Sequence, residues 1–266
     1  MTGALRLISP LATSPPDSFA QDWYTDFRTR PNRWAWLKLG RVGCTTMKRV
    51  LFGATAVFST GIYMLLCIWG YGSWTGYFSD PARSWLVFVA MGLAGSAAFT
   101  DSSGLSGGVR EDKSNRWVLI PLIVAGFLMP WLCAYLDRHD IWVLGGETER
   151  WIGLAVCLAG GALRIAPVFI LGRRFSGLVA IQPHHTLKTD GLYRYIRHPS
   201  YLGLIICAFG WATVFRCLVP GLVVCAVLLA PLIARMNSEE KLLTDQFGEE
   251  YVDYKKRTWR LVPGVY

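Results

Sequence analysis

The sequence predicts an all-α, polytopic membrane protein with four transmembrane helices, followed by a short helical hairpin and a cytosolic C-terminal helix. Composition is the first observation: 53% of the 266 residues are hydrophobic, only 17% are charged, and 12 are tryptophan. Soluble domains carry about 25% charged residues. The second observation is that several apolar runs approach the roughly 20 residues that a helix needs to cross a bilayer.

Residues 1–49 form a polar and basic N-terminal arm. The arm lacks an apolar segment followed by a small-residue cleavage site, so we do not expect a secretory signal. Trp23, Trp34 and Trp36 would suit a segment that lies along the membrane surface.

Residues 50–171 contain the four predicted transmembrane helices, which are Val50–Gly70, Ser84–Thr100, Trp117–Leu136 and Trp151–Leu171. The stretches "GLAGSAAFT" and "CLAGGAL" within them predict close helix packing through small residues. "SSGLSGG", between the second and third helices, lacks the lysine of a phosphate-binding loop and is interpreted as a flexible connection.

The last apolar run, Tyr201–Ala234, is too long for one helix. Pro220 and Gly221 are strong helix breakers, and Arg216 would be costly in the middle of a bilayer. The sequence therefore predicts a membrane hairpin over 201–234, made of two helices, Tyr201–Phe215 and Leu218–Ala234, each about 22 to 25 Å long.

The distribution of positive charge predicts the orientation. With the N-terminus inside, 22 of the 27 lysines and arginines fall on the cytoplasmic side and four on the opposite side; the last, Arg164, lies within an apolar run. This bias predicts that both termini are cytoplasmic. The net charge of +9 is then explained by topology and by attraction to membrane lipids, and we expect no nucleic-acid partner.

Neither the cysteines nor the histidines form a metal-binding pattern. The seven cysteines contain no CxxC pair and lie mostly in apolar runs, as small buried residues do. His184 and His185 are adjacent, with no further ligand at helical spacing, so we expect no metal.

Residues 172–266 hold most of the chemically versatile side chains, in two segments that flank the hairpin: Ile181–Tyr201 and Ala234–Arg257. Because a hairpin begins and ends on one side of the membrane, these segments are expected to enclose one pocket at its cytoplasmic surface. Arg235 and Glu239 are four residues apart and share a helix face, whereas Glu240 points elsewhere. Arg164, an intramembrane charge, is either a weaker site candidate or snorkels to the interface.

Two stretches, "HTLKTDGLYRYIRHPSYLG" and "RMNSEEKLLTDQFGEEYVDYKKR", make the sequence resemble the isoprenylcysteine carboxyl methyltransferase family. The resemblance covers roughly 173–257 and rests on the order RHPxY, hairpin, Arg-x-x-x-Glu-Glu and FGxEYxxY. It implies an integral membrane enzyme that uses S-adenosylmethionine to methylate the C-terminal carboxylate of a prenylated cysteine.

The resemblance also implies residue roles. Arg235 and Glu239 are the implied catalytic residues, with Arg235 receiving the substrate and Glu239 binding the cofactor. The other implied cofactor-binding residues are Gln182, His185, Thr186, Leu187, Lys188, Tyr193, His198, Pro199, Ser200 and Tyr201. Because a carboxylate acceptor is already ionised near neutral pH, such a site needs alignment, water exclusion and a counter-charge rather than a general base.

Several alternatives remain open from the sequence. One alternative is a methyltransferase with the same cofactor and a different acceptor, either a small thiol or a phospholipid amine. A sterol-type membrane reductase that uses NADPH shares RHPxY but not the Arg-x-x-x-Glu-Glu pattern, and a non-catalytic scaffold or receptor is a further class. The membrane is the endoplasmic reticulum in a eukaryote or the cytoplasmic (inner) membrane in a prokaryote.

Overall fold

The computed structural model describes residues 33–96, 110–111, 113–172, 180–181 and 186–266. The chain divides into two compact units, Met1–Lys48 and Arg49–Tyr266, and the second unit contains the apolar helices and the polar residues discussed below. Most of the predicted N-terminal arm and the end of the predicted helix Ser84–Thr100 lie outside the described residues.

The described fold is helical apart from one antiparallel ladder of two-residue strands, in which Arg110 faces Ile181 and Glu111 faces Ala180. The helices are α1 (Arg33–Tyr71), α2 (Trp74–Phe78), α3 (Pro81–Gly95), α4 (Leu119–Arg138), α5 (Glu147–Leu171), α6 (Pro199–Val214), α7 (Leu218–Phe247) and α8 (Glu249–Lys256). The strands are β1 (Arg110–Glu111) and β2 (Ala180–Ile181), and two short 3-10 helices cover Lys113–Val118 and Gly191–Arg194.

Four helical segments among the described residues are long and apolar enough to cross a membrane, as an integral membrane protein requires. They are Val50–Tyr71, Asn115–Arg138, Glu147–Leu171 and Leu218–Phe247. Three of them correspond to predicted transmembrane helices, but the set of four differs from the predicted one.

The second predicted transmembrane helix, Ser84–Thr100, is described only up to residue 96 and begins earlier than expected. Helix α3 starts at Pro81, where Asp80 accepts a hydrogen bond from the backbone N–H of Arg83 at 3.0 Å, and it ends at Gly95. Its 15 residues span about 22 Å, less than the roughly 30 Å hydrocarbon core.

The second arm of the predicted hairpin is longer than expected. Helix α7 does not stop at Ala234 but continues to Phe247, and its 30 residues extend over about 45 Å. Hydropathy falls after Ala234 because the helix passes from apolar to polar surroundings there, and the helix itself continues.

The break between the arms lies where it was predicted, since α6 ends at Val214 and α7 begins at Leu218. Arg216 has a positive φ of 57° there, and Pro220 lies in the first turn of α7, where its missing N–H costs no helical hydrogen bond.

Helices α5 and α6 are in backbone contact through glycines at seven-residue spacing. A Cβ atom on Gly203 would lie 2.7 Å from the carbonyl oxygen of Gly160, and one on Gly210 would lie 2.8 Å from that of Gly153. This confirms the packing predicted for "CLAGGAL". In "GLAGSAAFT", by contrast, a Cβ atom added to Gly92 or Gly95 would meet no atom of the described residues within 4 Å. Close packing at these two glycines stays a prediction, because the end of this stretch lies outside the described residues.

A buried cluster of charges lies at the end of α6 opposite to His198. Asp137, whose side chain is fully buried, accepts hydrogen bonds from Arg83, Arg150 and Arg216 at 2.7 to 2.9 Å. Arg150 also donates to the carbonyl of Val214, the last residue of α6. Three of the four basic residues predicted on the non-cytoplasmic side thus lie together, and the cost of partly burying Arg216 is offset by pairing.

Candidate functional site

The segment that precedes α6 and the segment that follows α8 are held together by backbone pairing. Ile196 forms a parallel bridge with Trp259. The N–H of Arg197 donates to the carbonyl of Trp259 at 2.8 Å, and the N–H of His198 donates to that of Arg260 at 3.1 Å. This pairing fixes the RHPxY segment beside the polar end of α7.

Arg235 and Glu239 meet at the hydroxyl of Tyr201. Arg235 Nε donates to Tyr201 Oη at 2.7 Å, and the same hydroxyl donates to Glu239 Oε2 at 2.9 Å. The i,i+4 spacing places both α7 side chains on the face that packs against the start of α6. The predicted association of Arg235, Glu239 and Tyr201 is therefore confirmed as geometry, and their catalytic and binding roles stay predictions.

His198 lies on the other side of Glu239. Its Nδ1 is 3.7 Å from Glu239 Oε2, and its ring stacks on the ring of Tyr201 with centroids 5.4 Å apart and planes 19° apart. The His198 side chain is 3% exposed and that of Glu239 is 36% exposed. The carboxylate, rather than the imidazole, faces the accessible side of the cluster.

Glu240 is a central residue of this cluster. It points in a different direction from Glu239, as expected, but that direction is also into the cluster. One helical position turns its carboxylate inward, where it accepts from Arg197 Nε at 2.9 Å, Arg260 Nε at 3.0 Å and His198 Nε2 at 3.2 Å. Partial burial alone would lower the pKa of Arg260, but its hydrogen bonds to Glu240 outweigh burial and raise that pKa.

Arg164 reaches the cluster from α5. Its Nη1 donates to Ser200 Oγ at 2.5 Å, and Ser200 Oγ donates to the carbonyl of Arg164 at 2.9 Å. Of the two interpretations left open by the sequence, this contact favours the site candidate, because Ser200 immediately precedes Tyr201. The contact depends on the close packing of α5 on α6 through glycines. The 36 residues that separate Arg164 from Ser200 in the sequence give no sign of it.

Tyr193 and Pro199 also border the cluster. Pro199 is buried at the start of α6. The carbonyl of Tyr193 accepts a hydrogen bond from Tyr254 Oη at 2.6 Å. Burial, and next the charge of Glu239, raise the pKa of the Tyr193 phenol well above its usual range, so it is a neutral hydrogen-bonding group at physiological pH.

For the remaining predicted cofactor-binding residues, the structure gives little evidence of a position in this cluster. Thr186 is exposed, Leu187 is half-buried, and Lys188 forms an ion pair with Asp190 at 2.8 Å. Gln182 and His185 lie outside the described residues. The roles of these five residues stay predictions.

The described part of the chain contains no group of three or more histidine, cysteine or acidic side chains that could hold a metal ion. His184 and His185, which raised that question in the sequence, are not among the described residues.

Comparison with known proteins places the chain in a family. The model of the isoprenylcysteine carboxyl methyltransferase (ICMT) family matches residues 151–245. Protein-S-isoprenylcysteine O-methyltransferase A of Arabidopsis thaliana is 34% identical over 152 residues, which are 54% of this chain and 77% of that protein. Methyltransferase B of the same plant is 33% identical over 126 residues, 46% of this chain and 64% of that protein.

The chain therefore belongs to the isoprenylcysteine carboxyl methyltransferase family. It spans less than two thirds of the length of methyltransferase B. A solved structure of the eukaryotic intramembrane Ras methyltransferase ICMT aligns over 84% of this chain and 97% of that chain, at 20% identity and a TM-score of 0.42.

Proposed function

We propose that this protein transfers a methyl group from S-adenosylmethionine to the C-terminal carboxylate of a prenylated cysteine. The observation that carries the proposal is the cluster in which Tyr201 joins Arg235 to Glu239 beside His198. Family membership supports methyl transfer, and the cluster supplies a cation suited to a carboxylate acceptor.

The polar groups around Glu239 fit the methyl donor. S-Adenosylmethionine, when bound, supplies an electrophilic methyl group on a positively charged sulfur. Glu239 is a partly exposed carboxylate, able to accept from hydroxyl or ammonium groups and to balance a positive charge. Tyr193 adds a neutral phenol close enough for Glu239 to affect its pKa.

Arg235 fits the acceptor. Its residue is 6% exposed, and its guanidinium keeps its positive charge at any physiological pH. A guanidinium can hold a carboxylate in a fixed orientation through two parallel hydrogen bonds. Since an ionised carboxylate oxygen is itself the nucleophile, the protein needs to align it and to exclude water, and no side chain has to remove a proton.

Arg164 is a second cation of the same site in this proposal. Its hydrogen bond to Ser200 directs positive charge toward the start of α6 from within the apolar run of α5. An acceptor with a lipid tail would approach from the bilayer, and Arg164 would draw its carboxylate toward Arg235.

The two charged ends of α6 support the proposed topology. His198 precedes its first residue, Pro199, and the Asp137 cluster binds its last residue, Val214. These ends are about 24 Å apart along a 16-residue helix. We infer that the Arg235 cluster lies at the cytoplasmic surface together with the C-terminus.

An acceptor panel with labelled donor tests the proposal. The purified protein in lipid is incubated with methyl-labelled S-adenosylmethionine and S-farnesylcysteine, a small thiol or a phospholipid amine. We expect label on farnesylcysteine as a base-labile methyl ester. Base-stable label on the thiol or the amine instead would contradict the carboxylate acceptor.

A further inference from the structure

Glu240 is a buried carboxylate that binds three side chains from two other parts of the chain. Its residue is 8% exposed. Oε1 accepts from Arg197 Nε, Arg260 Nε and His198 Nε2, at 2.9, 3.0 and 3.2 Å, and Oε2 accepts from Arg260 Nη2 at 3.0 Å. Two guanidinium groups thus donate to this one carboxylate, which does not need a third cation.

This contact determines which nitrogen of His198 carries the proton. An ionised carboxylate can only accept hydrogen bonds, so His198 Nε2 must be the donor toward Glu240. In a neutral imidazole the other nitrogen, Nδ1, then carries a lone pair. Stacking on Tyr201 fixes the plane of the ring and hence the direction of that lone pair.

The lone pair of Nδ1 and a carboxylate oxygen form a pair of acceptors. His198 Nδ1 and Glu239 Oε2 are 3.7 Å apart, which is too far for a direct hydrogen bond and leaves both as acceptors. An ammonium group beside them could donate to both, and two neighbouring hydroxyls could donate one hydrogen bond to each. Because the Glu239 side chain is far more exposed than that of His198, a ligand reaches this pair along the carboxylate.

We propose that Glu240 is a positioning residue, which holds His198 as the Nε2–H tautomer so that Nδ1 and Glu239 together accept hydrogen bonds from the methyl donor. The groups that fit are the ribose hydroxyls or the ammonium group of S-adenosylmethionine. The identity of the ligand rests on the proposed function, whereas the tautomer rests on the geometry of the protein alone.

Nitrogen NMR of the full chain in lipid tests the tautomer without any ligand. The chain has four histidines, and the spectrum of His198→Asn identifies the His198 signals by their loss. We expect a protonated Nε2 and an unprotonated Nδ1 at mildly basic pH. A proton on Nδ1 would overturn the proposal, and this measurement needs no variant of Glu240 that folds.

Donor binding tests the consequence of the tautomer. Glu240→Gln is expected to change the His198 signals, because an amide can also donate to Nε2, and to weaken S-adenosylmethionine binding about 10-fold by calorimetry. Glu250→Gln, a carboxylate exposed on α8, should leave both unchanged. Unchanged affinity in Glu240→Gln would refute the positioning role, whereas absence of methylation in a wild type with the expected tautomer would refute only the proposed function.

Discussion

The side chain of Arg235 donates a hydrogen bond to Tyr201 through Nε, and in the proposed function it also receives the acceptor carboxylate. The second function requires the planar fork of a guanidinium, which a lysine lacks although its charge is the same. A substitution that keeps the charge and removes the fork therefore separates the two properties.

Arg235→Lys is expected to lower kcat/KM for a farnesylcysteine acceptor by roughly 10- to 100-fold, the usual value of a hydrogen bond to a charged group. Donor affinity should change little, because Glu239 remains. Steady-state kinetics and calorimetry give the two values, and Arg257→Lys, at an exposed position, is the matched control. Equal losses of donor binding and acceptor turnover would show that Arg235 does not act on the acceptor.

Local spacing allowed the Arg235–Glu239 pair to be predicted, because residues four apart on a helix always share a face. The role of Glu240 could not be read in the same way. Its partners Arg197 and Arg260 lie 43 and 20 residues away in the chain, and the pairing of Ile196 with Trp259 brings them together. The consecutive pair Glu239–Glu240 was the one available signal, and it does not indicate which segments each carboxylate meets.

At the scale of helices, the glycines between α5 and α6 set the position of Arg164 relative to Ser200. Helices in lipid gain no hydrophobic free energy from each other and associate through close packing, which small residues permit. The backbone contact at Gly210 leaves no room for a methyl group.

Gly210→Ala is expected to destabilise the protein by about 1–3 kcal/mol, the usual cost of overpacking. The control is Gly92→Ala in α3, where a Cβ would meet no atom of the described residues within 4 Å. There the higher helix propensity of alanine should leave stability unchanged or slightly increased. Thermal unfolding in detergent measures both, and an equal melting temperature for the two variants would contradict the packing.

The Asp137 cluster ties α4, α5 and the turn after α6 to Arg83 of α3. Removing one partner from a buried ion pair costs about 3–5 kcal/mol, because the opposite charges stay buried. An exposed pair is worth about 0–1 kcal/mol.

The variants Asp137→Asn and Asp140→Asn test this difference between buried and exposed ion pairs, because both carboxylates bind the same arginine. Both carboxylates bind Arg216 at 2.7 Å, but the side chain of Asp137 is 0% exposed and that of Asp140 is 73% exposed. We expect a large loss of unfolding free energy for the first variant and little for the second. Similar losses for both would mean that burial of Asp137 does not determine its contribution.

Hydropathy predicted most helices but not all of their ends. The boundary at Ala234 was wrong because a polar segment can continue an apolar helix as it leaves the membrane. The predicted start of the same helix at Leu218 was right, and Pro220 is tolerated in its first turn. The sequence did not indicate that the arginines of the Asp137 cluster bind one carboxylate, since this shared partner becomes apparent only in the folded chain.

At the scale of the whole molecule, two polar clusters lie at opposite ends of α6. In the proposed topology, the cluster around Arg235 belongs to the side of the C-terminus, and an acceptor with a lipid tail reaches it from the bilayer. A water-soluble donor would then have to enter from that same side.

Sidedness of donor entry tests this most directly. The protein is reconstituted into sealed vesicles that contain a farnesylcysteine acceptor in the bilayer, and protease access to a C-terminal tag reports its orientation. We predict methyl ester formation when labelled S-adenosylmethionine is supplied on the side of the C-terminus, and none when it is supplied only on the other side. Methylation from the opposite side alone would contradict the proposed topology.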